Sequence, residues 1–129
     1  NTQNFAPATP RDIDYTLQEL TPQLTTAIDR KPASTSRFIA QEDCILRITA
    51  YFVSASSSLS ALAGNLRALY PAAITLAFVR CNPGETAMVQ RIVAVTAGVE
   101  IFFNLTAPLG AVIDWASIHF EKLADFTPP

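Results

Sequence analysis

Ten consecutive residues, Cys44-Ile-Leu-Arg-Ile-Thr-Ala-Tyr-Phe-Val53, alternate between an apolar set (Cys44, Leu46, Ile48, Ala50, Phe52) and a set that includes Arg47 and Thr49. Successive side chains of an extended chain point to opposite faces, so this stretch predicts a strand buried on one face only. Such a strand needs strands beside it and an apolar layer beneath it, and the rest of the chain offers both. Val99, Ile101, Phe103 and Leu105 alternate with Glu100, Phe102 and Asn104. Ile74, Leu76 and Phe78 alternate with Thr75, Ala77 and Val79, and run into the turn signal Asn82-Pro-Gly-Glu85. Met88–Thr96 is β-branched without a preferred face, which predicts a strand buried on both sides. Residues 111–122 place Val112, Ala116, Ile118 and Phe120 on one face, against Trp115, Ser117, His119 and Glu121. Asp114 has the parity of the apolar set. Either its carboxylate meets an arginine at an interface, or the register slips by one residue there; the slip is the favoured reading.

One segment reads as helix. Leu59, Leu62, Leu66 and Leu69 recur at three- and four-residue steps after the serine cluster 54–58, which offers N-caps, and the run stops before Pro71. Gly64 within it costs a helix about 1 kcal/mol relative to Ala. Residues 1–36 carry Pro7, Pro10, Pro22 and Pro32 and little periodicity, so they predict an extended arm. Phe5, Ile13, Tyr15, Leu17 and Leu20 anchor that arm on its own domain or on a neighbour, and Leu24–Ile28 could add a short strand. No βαβ alternation occurs, which disfavours a parallel sheet. The expectation is an all-β, antiparallel β-sandwich of the jelly-roll type over residues 37–129, with one short inserted helix, and an extended N-terminal arm over residues 1–36.

Composition narrows the function. Only 16% of the 129 residues are charged while 50% are hydrophobic, against about 25% charged in typical globular chains. A subunit that hides surface against neighbours suits that shortage. The net charge of −2 excludes a strongly basic nucleic-acid module. No apolar run reaches the length of a membrane-spanning helix, and no signal-peptide pattern is present.

The catalytic inventory is thin. His119 is the only histidine, and nothing near Cys44 in the sequence lowers its pKa. Glu42 and Asp43 are adjacent, which in a strand sends them to opposite faces; they read as a solvated turn. Asn104-Leu-Thr106 matches a glycosylation triplet but lies inside a strand. Cys44 and Cys81 fit no metal spacing and leave buried thiols or a disulfide open. No cofactor and no metal are expected. Arg37, Arg47, Arg67, Arg80 and Arg91 are dispersed rather than clustered.

Leu69-Tyr-Pro-Ala-Ala-Ile-Thr-Leu-Ala-Phe-Val-Arg-Cys-Asn-Pro-Gly-Glu-Thr-Ala, followed by Ala97-Gly-Val-Glu-Ile-Phe102, resembles the middle of tymovirus-type coat proteins. Val112 through Phe120 into Leu123-Ala-Asp-Phe-Thr-Pro128 is similar to the last strand and tail of bromovirus-type coats. The resemblance implies an eight-stranded jelly roll that assembles, with itself and with any other coat subunits, into an icosahedral virion shell around genomic RNA. No family motif assigns contact residues here; in such a shell the candidate RNA contacts are Arg37, Arg67 and Arg80, and the candidate assembly contacts are Phe5, Tyr15 and Trp115. The chain is short for eight strands, and the span from Asp29 to Glu42 has little room for two of them. The alternative reading is a small secreted or surface-displayed β-sandwich binding or decoration module, with a Cys44–Cys81 disulfide and an exposed aromatic patch at Tyr51 and Trp115. An enzyme would require a cleft that gathers His119 with a carboxylate.

Overall fold

The computed structural model of the chain describes residues 2–15, 26–69 and 72–129. Leu17, Leu20, Leu24 and Pro71 lie outside the described residues. The described residues form ten strands and no helix: β1 (Gln3–Phe5), β2 (Arg11–Asp12), β3 (Ile28–Arg30), β4 (Phe38–Ala40), β5 (Cys44–Ser54), β6 (Leu62–Leu69), β7 (Ile74–Cys81), β8 (Thr86–Val95), β9 (Glu100–Thr106) and β10 (Ala111–Asp125). They make two antiparallel sheets. One is four-stranded in the order β1-β10-β5-β8; the other is six-stranded in the order β3-β4-β9-β6-β7, with β2 also paired to β9.

The alternating stretch Cys44–Val53 lies in β5, buried at every second residue from Cys44 to Ser54. It is the centre of its sheet, flanked by β10 and β8 along nearly its whole length. Inner residues of this sheet meet the inner residues of β9 and β4. Phe52 stacks edge-on to Phe103 with ring centroids 5.8 Å apart, and Phe120 of β10 meets Phe38 of β4 at 5.0 Å. The two sheets therefore share one core between their inner faces.

The proline-rich N-terminal stretch contributes strands as well as anchors. β1 pairs with β10, and the buried Gln3 side chain donates to the Asp14 carbonyl and accepts from the Asp14 N–H at 2.7 and 2.8 Å. Phe5, Ile13 and Tyr15 are core residues.

Three expectations are corrected. The predicted helix from Leu59 to Leu69 is a strand from Leu62, with Leu62, Leu66 and Ala68 buried and Ala63, Asn65 and Arg67 on the opposite face. A four-residue spacing places Leu62 and Leu66 on one face in either geometry, because four is close to one helical turn and is also twice the strand period. The neighbour decides. β6 lies between β7 and β9, and Gly64 passes so close to β9 that a Cβ would sit 1.9 Å from the Asn104 carbonyl oxygen. Met88–Thr96 is not buried on both sides: its sheet faces the core on one side only and β8 is the last strand of it, so the outward Met88 and Ile92 are 68% and 55% exposed. The strand predicted from Val99 does not alternate, since Glu100 and Phe102 are buried along with Ile101 and Phe103.

The register slip expected at Asp114 is present. The β10–β5 pairing shifts between Ile113 and Trp115, which turns Ile113 inward and leaves Asp114 exposed.

Candidate assembly and nucleic-acid surfaces

Three surfaces gather the residues that the sequence singles out. The first is the outer face of the six-stranded sheet. Directly opposed residues share a face, so the β9–β6 register sets Phe102 beside Arg67 and Asn104 beside Asn65. Arg37 lies just before β4 and folds its guanidinium onto the Phe102 ring, 4.0 Å from the centroid. Its Nε donates to Asp12 at 3.2 Å and its Nη1 to Glu100 at 3.4 Å. Lys31 Nζ also donates to Glu100, at 3.1 and 3.2 Å, and Asn104 donates to Asp12 at 2.8 Å. Glu100 is 4% exposed, a buried carboxylate held by two cations. Arg37 is thus spent inside the subunit, neutralised by two carboxylates.

Arg67 is different. It lies across Phe102 from Arg37, and its Nε is buried without a hydrogen-bond partner. Arg80, on β7, is exposed beside Ala63 at the other end of the same pair of strands. Of the three arginines expected to contact RNA, the structure therefore puts Arg67 and Arg80 on one strip without a carboxylate partner among the described residues, and Arg37 in a closed ion-pair network. The signal that separates them is long-range: the partners of Arg37 lie 25 and 63 residues away.

The second surface is the outer face of the four-stranded sheet. Tyr51 and Trp115 are 4.7 Å apart between ring centroids, tilted by 56°, and Met88 is the register partner of Tyr51 on the other side. Thr49, Gln90 and His119 form the next row, with Gln90 donating to Thr49 at 3.0 Å; Arg47 pairs with Glu121 at 2.7 Å beyond it. Of Phe5, Tyr15 and Trp115, Phe5 and Tyr15 are buried in the chain's own core and only Trp115 reaches this surface.

The third is a cavity of about 490 Å³ at one end of the fold, where Phe5, Pro7 and Val112 meet Leu59 and Leu109.

The groups weighed for catalysis are dispersed. Cys44 pairs across the sheet with Asp125, six residues from His119 along β10, a separation of about 20 Å at strand rise. Cys81 Sγ donates to the Glu85 carbonyl at 3.2 Å and also bonds the Ser54 backbone, at the opposite end of β5 from Cys44. The ten residue steps from Cys44 to Ser54 span about 33 Å, so the two thiols are free and cannot bridge within one chain. Burial raises both thiol pKa values, reinforced at Cys44 by Glu42 and partly opposed at Cys81 by the Ser54 hydrogen bond. Glu42 pairs with Lys122, and Asp43 accepts the Ala97 N–H at 2.9 Å. Lys122 also donates to Asp125, which raises the lysine's pKa and lowers the carboxylate's. Among the described residues no group of three or more His, Cys, Asp and Glu could hold a metal ion.

Compared with protein-family models and with curated proteins, the chain matches none.

Proposed function

We propose that the chain is the structural, non-enzymatic subunit of an icosahedral virion shell, folded as a jelly roll, enclosing an RNA genome. The observation that carries this reading is the order of strand pairing. Eight strands, β1, β4, β5, β6, β7, β8, β9 and β10, pair first with last, second with seventh, third with sixth and fourth with fifth. A long antiparallel ribbon rolled on itself produces this nesting, with successive pairs falling alternately in the two sheets. The N-terminal stretch supplies the first of the eight strands, which answers the shortage of room between Asp29 and Glu42. Jelly rolls serve in viral shells and also in lectins and cupins, so the pairing order supports the fold more strongly than the use. The use rests on the low charge together with the exposed apolar side chains of Met88, Ile92, Leu59 and Leu109, which a shell would cover.

The test is particle formation. Purified chain, screened from mildly acidic to mildly alkaline pH and from low to high salt, should give closed particles of uniform size by negative-stain microscopy and light scattering. Monomer alone under all these conditions would refute the shell.

The paired Tyr51 and Trp115 rings favour a second reading, a surface-displayed binding module that uses the four-stranded face. That reading predicts soluble monomers or small oligomers, and a Trp115→Ala variant that loses ligand while keeping its fold.

A further inference from the structure

We propose that the β6–β7 strip on the outer face of the six-stranded sheet binds single-stranded RNA, with Phe78 stacking on a base and Arg67 and Arg80 holding the phosphates on either side. The inference deepens the shell reading and takes the identity of its occupant from it.

Charge is the first support. Neither β6 nor β7 contains Asp or Glu. The other cations of this face, Lys31 and Arg37, are neutralised by Glu100 and Asp12, whereas Arg67 and Arg80 have no carboxylate partner among the described residues. Arg30 and Arg91 also lack one there, but Arg30 lies on the far edge strand and Arg91 has the inward parity of β8, opposite the buried Ile48. A guanidinium without a carboxylate partner keeps its charge uncompensated, and a phosphodiester oxygen at its outer N–H groups supplies both the acceptor and the opposite charge.

Geometry is the second. Phe78 is 67% exposed and is the register partner of Asn65. Arg80 lies two residues along the same strand, about 6.6 Å away at strand rise. Arg67 lies two residues from Asn65 on the other side, within diagonal reach of a long side chain. The arginines thus flank the ring from opposite ends of the strip, their β6 positions (Ala63 and Arg67) four residues and about 13 Å apart. An aromatic ring on an exposed sheet, with cations tracking the backbone beside it, is the general solution for binding unpaired bases. Asn65 adds an amide beside the ring, able to bond a base edge or a 2′-hydroxyl. A cavity of about 150 Å³, lined by Ser60, Ala63, Arg80 and Pro108, opens at the Arg80 end.

The experiment measures binding of a fluorescent oligouridylate to the full chain by anisotropy at several salt concentrations. Phe78→Ala should weaken binding about tenfold with the salt slope unchanged. Arg80→Gln, at an exposed position, should weaken it and reduce the slope by about one. Arg47→Gln on the other sheet should behave as wild type. Circular dichroism checks that each variant is folded, and microscopy scores particles in parallel. Equal affinity in wild type, Phe78→Ala and Arg80→Gln overturns the assignment, as does absence of binding by wild type. Loss of particles in Phe78→Ala with RNA affinity intact makes the strip a subunit contact and also overturns it. Binding with the expected pattern in a chain that never forms particles refutes the shell and upholds the RNA strip.

Discussion

Gly64→Ala separates helix from strand by the sign of its effect. In a helix the substitution would stabilise by about 1 kcal/mol, the difference in propensity between the two residues. In β6 the added Cβ would lie 1.9 Å from the Asn104 oxygen, 2.8 Å from the Leu105 Cα and 2.9 Å from the Asn104 carbonyl carbon. All three atoms are backbone, so no side chain can rotate away. Restoring ordinary contact near 3.4 Å would part β6 from β9 by more than an ångström at the middle of the sheet. Overpacking of this kind costs about 1–3 kcal/mol. An interstrand hydrogen bond stretched that far is lost, and a buried group left unpaired costs about 1–3 kcal/mol more. The sum, about 2–6 kcal/mol, is a large share of the ~5–15 kcal/mol that holds a domain together. Urea unfolding followed by Trp115 fluorescence and far-UV circular dichroism reads it directly. With a slope of about 2 kcal/mol/M, the midpoint should fall by about 1–3 M. An unchanged or higher midpoint would refute the close approach of β6 and β9.

Phe52→Ala and Phe103→Ala should each cost about 3–5 kcal/mol, and a double-mutant cycle should return a coupling of about 0.5–1.5 kcal/mol, because the two rings meet edge-on across the sheets. Glu100→Gln should destabilise by about 1–2 kcal/mol in the same unfolding assay. That is less than the ~3–5 kcal/mol for a fully buried pair, since Lys31 and Arg37 remain partly open to water and Arg37 keeps Asp12. Cys44 and Cys81 should resist a thiol reagent until the chain unfolds, and reaction in the native state would contradict their burial. Both thiol pKa values are raised in the folded chain, so the stabilisation from keeping them neutral is complete below the ordinary value of 9.0 and is lost as pH rises above it. The unfolding midpoint should therefore fall on going from neutral pH to above pH 9, and the fall should shrink in a Cys44→Ala, Cys81→Ala double variant.

Features that depend on the backbone alone were legible in the order of residues. The period-two pattern of β5 fixes its buried face because the alternation of a strand depends on the backbone alone. The Asn82-Pro-Gly-Glu85 turn closes as read, with the Glu85 N–H donating to the Asn82 carbonyl at 3.1 Å and Gly84 at φ 82°. The slip at Asp114, the favoured of two readings, shows in the parity of its neighbours, whereas the Tyr51–Trp115 ring pair also needs β10 beside β5. Features that depend on a neighbour in space were not legible in that order. A leucine spacing of four suits helix and strand alike, and β9 beside Gly64 is what makes β6 a strand. An apolar, β-branched run is buried on both faces only where a layer covers each face, so Met88 and Ile92 are outside because they lie on the face of the four-stranded sheet turned away from the core, on a strand with a neighbour on one side only. Arg37 and Arg67 look alike in the sequence. Asp12 and Glu100 neutralise one, and no carboxylate among the described residues neutralises the other, because Coulomb partners are chosen by distance in space rather than along the chain.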